Sequence, residues 1–299
     1  MRHLPYATLS RRVTQLISTL LLAIPLAAGG ESYRLTLIDV GYGLSILAQD
    51  SDGTAILFDG GYREEAPLVR TALAQAGIDS LALMVASHGH GDHIEGLAVL
   101  LQKRFPVGLV IGNVPQGHAS FDSLFWRSLG GVPYRQARAG DSLAVGSLQL
   151  QVLHPDTLTE NLNESSMAVS LTLGTHRVLL PADIGVHTQE ALATRWGQRL
   201  RSGILVAPHH GDVIARGFWD AVKPEWVLVP VGPNPWELPD SRVTRLTAEV
   251  RLIDTHRDGT VILTLDRGGI SLISRTPHSC TQRREADMAE RMRRWRRAH

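Results

Sequence analysis

One polar turn holds the residues whose types and spacing could do chemistry: Ser87-His88-Gly89-His90-Gly91-Asp92-His93. His88 and His90 are two positions apart, so in an extended turn both side chains face the same way. Asp92 and His93 fall on the following turn and can face a second ion beside the first. Neutral imidazole suits Zn²⁺ or Mn²⁺, and a carboxylate adds a hard oxygen ligand. The turn therefore predicts a metal site rather than a buried core, where each of these groups would need its own hydrogen-bond partner.

Alternating strands and helices must position this turn. In the first half, strands are predicted at 33–40, 54–58, 81–86 and 107–111, helices at 66–76 and 94–103, and an irregular segment at 112–140. In the second half, strands are predicted at 148–153, 167–173, 177–180, 203–207, 226–231 and 251–253, helices at 187–196, 218–222 and 241–250, and a hairpin at 260–273. This order predicts an α/β (α+β) protein with two sheets face to face and helices outside, in one domain from 31 to 276.

Charge is unevenly spread along the 299 residues, although the net charge is only +1. Residues 1–30 carry three Arg and no acid, and residues 281–299 carry seven Arg against three acids, which leaves the body at −6. An acidic body argues against a broad nucleic-acid-binding face, since affinity for phosphate backbones comes mainly from clustered Arg and Lys. The single cysteine, Cys280, excludes an internal disulfide and a thiolate ligand in the metal turn.

Both ends of the chain predict contacts outside the domain. Arg11-Arg12, the apolar run at 20–28 and the small residues after it predict a signal peptide at 1–30, with an uncleaved N-terminal anchor as the alternative. Either interpretation predicts an exported protein, periplasmic or secreted. In the C-terminal tail, 277–299, Met288, Met292 and Trp295 form a narrow apolar stripe on a basic helix, which could touch a membrane surface; a solvated tail is the alternative.

Further motifs surround the metal turn: Asp39-Val40-Gly41-Tyr42-Gly43, Leu57-Phe58-Asp59-Gly60-Gly61, Pro208-His209-His210-Gly211 and Arg257-Asp258-Gly259. Together with the turn, they resemble the metallo-β-lactamase superfamily, and more narrowly the hydrolase-like domain of ComEC-type DNA-uptake proteins. The resemblance runs from about residue 33 to about residue 274. It implies an αββα four-layer sandwich that binds one or two metal ions at the sheet edges.

The resemblance also implies a ligand set. His88 and His90 go to one metal, Asp92 and His93 go to the other, and Asp183 is the bridging carboxylate. One histidine of the pair His209 and His210 completes the second metal, with His209 preferred. His154 is preferred as the remaining ligand of the first metal, with His118 as the competitor.

Other residues receive supporting roles. Asp59 is expected to accept a hydrogen bond from a ligand imidazole and so to fix its tautomer, or to cap the Gly60-Gly61 turn. Three residues fall where the ComEC-type domain has an Asn-rich, Ser-containing segment and are expected to line the pocket: Asn163, Ser165 and Ser166.

The expected chemistry is hydrolysis by a metal-bound hydroxide, with two divalent ions, zinc first and manganese or iron as alternatives. Asp92 is a candidate for holding the proton of the hydroxide, and His210 or His256 for protonating a leaving alkoxide. The predicted substrate is a phosphodiester, with DNA included. The alternatives are a small ester, lactone or amide, and a non-catalytic module that binds DNA or the cell envelope.

Overall fold

The computed structural model describes residues 31–116 and 120–276. The predicted signal at 1–30, the tail at 277–299 with Cys280, and His118 lie outside the described residues. The strands that precede residue 140 are β1 Tyr33–Leu37, β2 Ile46–Gln49, β3 Ala55–Phe58, β4 Leu81–Ala86, β5 Val107–Gly112 and β6 Tyr134–Gln136. Those that follow are β7 Ser142–Val145, β8 Leu148–His154, β9 Ala168–Leu173, β10 His176–Leu180, β11 Ile204–Val206, β12 Trp226–Val229, β13 Arg251–Asp254, β14 Thr260–Asp266 and β15 Gly269–Thr276.

The helices lie between these strands. They are α1 Ala66–Gln75, α2 Gly91–Gln102, α3 Ser120–Ser128, α4 Val186–Trp196, α5 Arg216–Val222, α6 Ser241–Leu246 and α7 Thr255–Asp258, with short 3₁₀ turns at Arg63–Glu65, Gly197–Leu200 and Pro208–Gly211. Within the described ranges, no helix combines the length and apolarity needed to cross a bilayer.

Two mixed sheets stack face to face. One has the strand order β15-β14-β1-β2-β3-β4-β5-β6, and the other has β13-β12-β11-β10-β9-β8-β7. A core that includes Leu35, Ile56, Val169 and Leu228 fills the space between the sheets. Separate apolar layers join the first sheet to α1, α2 and α3, and the second sheet to α4, α5 and α6. This arrangement confirms the predicted αββα sandwich.

Two local expectations differ from the structure. Segments 33–40 and 54–58 are predicted as consecutive strands, but a further strand, β2, lies between β1 and β3 and pairs with both. Ile46–Gln49 has only four residues and is almost wholly buried, so it shows no alternating pattern that could announce a strand. The segment 112–140, expected to be irregular, contains α3 and β6.

Parallel pairing sets where the polar residues meet. In the first sheet β3, β4 and β5 are parallel, and in the second sheet β10, β11, β12 and β13 are parallel. Their nearly unbroken apolar sequences suit strands buried on both faces. Because parallel strands end at the same edge of a sheet, Asp59 after β3 lies beside the turn after β4, and Asp183 after β10 lies beside His210 after β11.

Candidate metal centre

The junction between β4 and α2 carries four of the predicted metal ligands. His88 is fully buried, and His90 is the extended residue immediately before α2. The helix begins at Gly91, which puts Asp92 and His93 in its first turn. A side chain at Gly89 would come within 2.9 Å of the Asp122 carboxylate, so the chain has no room for a larger residue between the two histidines.

Site 1 consists of His88, His90 and Asp183, whose nearest ligand atoms all lie within 4.8 Å of one another. His88 Nε2 is 3.0 Å from His90 Nδ1 and 3.8 Å from Asp183 Oδ2. Two ring nitrogens and one carboxylate oxygen therefore point at a common volume.

Site 2 consists of Asp92, His93, Asp183 and His210, all four of them buried. His93 Nε2 lies 3.1 Å from Asp183 Oδ2 and 3.8 Å from Asp92 Oδ2. His210 Nε2 lies 3.2 Å from Asp92 Oδ2 and 3.5 Å from Asp183 Oδ2. The same Asp183 oxygen thus belongs to both sites, which is the position of a bridging carboxylate.

Asp59 and Ser87 fix the tautomers of two imidazoles. Asp59 Oδ2 lies 2.8 Å from His93 Nδ1 and accepts a 2.7 Å hydrogen bond from Ser87 Oγ. Ser87 Oγ is in turn 3.0 Å from His88 Nδ1. With its own proton given to Asp59, the hydroxyl accepts the Nδ1 proton of His88. Both histidines therefore direct Nε2 toward the cluster, and this is the nitrogen that can ligate a metal once it carries no proton.

His210 gives a test of whether a cation fits. Its Nδ1 lies 2.9 Å from the Pro230 carbonyl oxygen, which can only accept, so Nδ1 carries a proton. Its buried Nε2 has no well-directed hydrogen-bond partner and faces two carboxylate oxygens. A lone pair among acceptors is unfavourable unless a proton or a metal cation lies between them. The residues present therefore fit a divalent ion at site 2.

The pKa values describe how the cluster behaves without metal. Burial, with the neighbouring His93, holds the pKa of His88 well below its ordinary value, and burial also lowers that of His90. At site 2, burial opposes protonation, but Asp183 and the other carboxylates outweigh it: the pKa of His93 is held well above its ordinary value and that of His210 rises to about 9. Burial would raise the pKa of Asp92, yet His93 and His210 lower it to about 2. Without metal, protons on His93 and His210 thus balance the negative charge of the carboxylates at site 2.

Of the two histidines after β11, His209 was expected to point into the metal cluster, and the structure shows the reverse. His210 lies inside site 2, whereas His209 is one-third exposed and its Nε2 is 4.0 Å from Asp183 Oδ2. Both residues have positive φ angles, +47° and +57°, so the backbone turns sharply and the inward direction cannot be read from sequence spacing. The geometry therefore favours His210 as the candidate ligand and corrects the preference for His209.

His154 lies outside both sites among the described residues. Its Nε2 is 2.8 Å from the Glu164 carbonyl oxygen and donates to it, so the ring holds the loop that follows rather than site 1. The competitor His118 is not among the described residues. Among the described residues, the group of ligand atoms at site 1 contains no third histidine.

The three predicted pocket residues divide into two kinds. Ser165 and Ser166 are buried: Ser165 Oγ exchanges hydrogen bonds with the backbone of Thr159, and Ser166 Oγ accepts from Asp183 N at 3.3 Å. They shape the loop and hold Asp183 instead of lining a pocket. Asn163 does reach the cluster edge, where its Nδ2 is 3.4 Å from His209 Nε2.

The two histidines considered as proton donors also differ in position. His210 is buried, with Nδ1 against the Pro230 carbonyl oxygen and Nε2 facing Asp92 and Asp183, so the geometry favours a ligand role over proton donation to a leaving group. His256 lies on the exposed side of α7, after β13, and its role stays a prediction.

An aromatic pair, Tyr42 and Trp236, lies beside site 2. The Tyr42 ring packs against His210 at a centroid distance of 4.4 Å and against Trp236 at 4.9 Å. Burial, Asp92 and Asp183 raise the pKa of the Tyr42 hydroxyl, so it stays protonated. The motif containing Tyr42 was noted, but nothing in its local pattern shows that the loop reaches the second sheet. Gly232 makes that approach possible, since a side chain there would meet Gly41 at 2.5 Å.

The sequence profile of the Metallo-beta-lactamase superfamily matches residues 38–270. Among curated proteins, the chain is 27% identical over 270 residues to Competence protein ComA of Neisseria gonorrhoeae, covering 83% of this chain and 36% of that protein. It is 25% identical over 199 residues to ComE operon protein 3 of Bacillus subtilis (strain 168), covering 63% of this chain and 25% of that protein. The chain thus spans about a third or less of the length of these relatives.

Two solved structures share the fold. One is the metallo-beta-lactamase fold protein YhfI from Bacillus subtilis, with a TM-score of 0.50, 12% identity, and coverage of 78% of this chain and 99% of that one. The other is CmlA, a diiron beta-hydroxylase from Streptomyces venezuelae, with a TM-score of 0.50, 19% identity, and coverage of 78% and 54%. The profile match over most of the chain, together with the His/Asp cluster, gives the family: the chain belongs to the metallo-beta-lactamase superfamily and is a metal-dependent hydrolase of that group.

Proposed function

We propose that this hydrolase is a phosphodiesterase or nuclease that works with two divalent metal ions. The observation that carries the proposal is the Asp183 carboxylate oxygen shared by site 1 and site 2, because two adjacent metal sites suit phosphodiester hydrolysis. The relative named Competence protein ComA supports a nucleic-acid substrate over a small ester, lactone or amide.

The residues of each site have defined tasks toward the ions. His88 and His90 would hold one ion, Asp92, His93 and His210 the other, and Asp183 both. The bound ions would activate water and offset the charge of the phosphate. Imidazole-rich sites favour zinc, and the carboxylates leave manganese and iron as alternatives. Asp59 keeps His93 and His88 in the ligating tautomer, the latter through Ser87.

His209 is the residue best placed to move a proton to a leaving alkoxide. It is one-third exposed, its Nε2 is 4.0 Å from Asp183 Oδ2, and its Nδ1 is 3.6 Å from Asp212 Oδ2. A carboxylate behind an imidazole orients the ring for proton transfer. His256 is the alternative donor.

Aromatic contact would add affinity for nucleic acid, since the body between the two basic ends of the sequence is acidic. Trp236 is 47% exposed and packs on Tyr42, which itself packs on His210. Base-aromatic stacking contributes roughly 1–3 kcal/mol per base and needs no particular sequence. Such a surface beside site 2 suits a single-stranded substrate with a base next to the scissile phosphate.

A substrate panel tests the proposal. Metal-replete protein would be incubated with single-stranded DNA, bis(p-nitrophenyl) phosphate and nitrocefin, with His88→Ala as the control. We expect hydrolysis of both phosphoesters and loss of that activity in the variant. Turnover of nitrocefin or an ester while both phosphoesters survive would reject the phosphodiesterase assignment. Failure of the protein to hold metal would favour the non-catalytic binding module.

We also propose that the domain acts outside the cytoplasmic membrane, with its basic tail near anionic lipid. The apolar run at 20–28 behind Arg11-Arg12 and the seven Arg of the tail support this placement. Fractionation of cells expressing the full chain tests it. Recovery of the protein in the cytoplasm would contradict export, and unchanged recovery with anionic vesicles after removal of 277–299 would contradict the lipid contact.

A further inference from the structure

Site 1 has fewer candidate ligands than site 2, and an amide reaches its edge. We propose that the side-chain oxygen of Asn163 is the remaining ligand of site 1. The inference rests on the proposed two-metal function and specifies one of its sites. This role differs from the pocket-lining role that the resemblance implies for Asn163.

The atoms of Asn163 support ligation over simple packing. Oδ1 is buried and has no well-directed hydrogen-bond partner, while Nδ2 lies 3.4 Å from His209 Nε2. The side chain also comes within hydrogen-bonding range of the His90 ring, so it lies beside site 1. A buried amide oxygen without a donor is unfavourable, because it has given up water and gained nothing in exchange. A cation at site 1 would supply the missing partner.

The loop that carries Asn163 is held firmly by its own hydrogen bonds. Asn161 Oδ1 accepts from the backbone N–H groups of Asn163 and Glu164, at 3.0 and 3.2 Å. The Glu164 carbonyl accepts from His154, the histidine first expected to be the ligand. An oxygen held by such a loop can act as a ligand with little loss of conformational freedom on binding.

The same loop is tied to the segment that carries Asp183. The Glu164 carboxylate accepts from Gly185 N at 3.2 Å and from the Thr188 hydroxyl, and Ser166 Oγ accepts from Asp183 N. Asn163 and the shared carboxylate are therefore positioned as one unit at the edge of the second sheet.

The proposed ligand makes the two sites chemically different. Site 1 would have two imidazoles, a neutral amide oxygen and one oxygen of a shared carboxylate. Site 2 has two imidazoles, the same shared carboxylate and Asp92 as well. Because site 2 offers more negative charge, it should bind a divalent cation more tightly, and site 1 should fill second.

A titration of metal-free full-length protein with Co²⁺ alone tests the assignment without any substrate. Two binding phases are expected, each with its own visible absorption spectrum. Asn163→Leu, which keeps the side-chain volume, should weaken the weaker phase at least about tenfold. His88→Ala should affect that same phase, and His210→Ala the tighter one. His209→Gln, which changes the other neighbour of the amide, should leave both Co²⁺ phases as in the wild type.

Two exchanges separate ligation from a merely positioning role. Asn163→Asp should restore or strengthen the weaker phase, and Asn163→His should strengthen it and change its Co²⁺ spectrum, while the tighter phase keeps its spectrum. The proposal is overturned if Asn163→Leu, folded by circular dichroism, keeps both phases, or if the Asp and His variants bind as weakly as the Leu variant. Wild-type protein that binds two ions but cleaves no phosphodiester would refute the proposed function and leave this assignment standing.

Discussion

Site 1 and site 2 meet at one carboxylate oxygen but prepare for a cation in opposite ways. In site 1 the pKa of His88 and of His90 is lowered by burial, so both rings are neutral and ready to ligate. In site 2 the carboxylates raise the pKa of His93 and His210, so protons must leave before a metal can bind. The type of ligand alone therefore does not determine the protonation state of each site. The balance between burial and nearby charge decides how each half exchanges protons for metal.

Removing the shared residue should have the largest effect. Asp183→Ala takes an oxygen from both sites at once, so we expect loss of both metal equivalents and a fall in hydrolysis of about 10³-fold or more. Elemental analysis with single-turnover kinetics checks this. Two retained equivalents would mean that the carboxylate does not join the sites.

Variants of ligands that belong to only one site should each lose only the ion of that site. His88→Ala is expected to lose the ion of site 1 and His210→Ala that of site 2, each leaving about one equivalent bound. The measurement is metal content after dialysis against a buffered concentration of free metal. Equal loss of both ions in either variant would show that the sites fold around metal as a single unit.

Substitutions of Asp59 and Ser87 should reduce metal affinity less than loss of a ligand does, and the two substitutions should affect the two sites differently. Asp59→Asn removes the acceptor of His93 and the partner of Ser87, so metal affinity should fall about 10–100-fold at both sites. Ser87→Ala retains the His93 contact and is expected to weaken mainly site 1. Competition with a chromophoric chelator gives the two affinities, and identical profiles for the two variants would contradict the relay through Ser87.

The number of protons released on metal binding should also differ between the two sites of the wild-type protein. At pH 7, below the pKa of about 9 for His210 and the raised pKa of His93, both imidazoles are protonated in metal-free protein. Binding should therefore release about two protons, nearly all from site 2, and the release should decline as pH rises through about 9. Calorimetry in two buffers of different ionisation enthalpy checks the number. A binding heat that is independent of buffer would contradict the assigned protonation states.

The smallest expected effect concerns the proton donor outside both sites. His209→Gln should leave bis(p-nitrophenyl) phosphate cleavage nearly unchanged, because nitrophenolate leaves without a proton. Cleavage of DNA, with a poor alkoxide leaving group, should fall about 10²-fold. His256→Gln is the matched comparison. A larger loss in that variant would transfer the role to His256.

The local parts of this picture could be predicted from sequence, and the long-range parts could not. The turn from His88 to His93 is compact, so residue type and spacing were enough to predict a cluster. The αββα sandwich followed from the resemblance and the alternating elements, although the short buried β2 was missed. Such a strand carries no periodicity.

The remaining ligands depend on loops that cross between sheets. His209 and His210 lie in a left-handed turn, where neighbouring side chains do not follow strand alternation. His154 does end a strand, but its Nε2 donates a hydrogen bond to the carbonyl oxygen of Glu164, ten residues later. Asn163 lies in a loop held by hydrogen bonds of Asn161 and Glu164, and no local sequence pattern indicates that this loop approaches the cluster.

A crystal structure of metal-loaded protein, with anomalous data collected at the absorption edge of the bound metal, would show directly whether Asp183 joins two metal ions. We predict two anomalous peaks, one beside His88 and His90 and the other beside Asp92, His93 and His210, with the Asp183 carboxylate between them. A single peak that does not contact Asp183, or no peak among these residues, would contradict it.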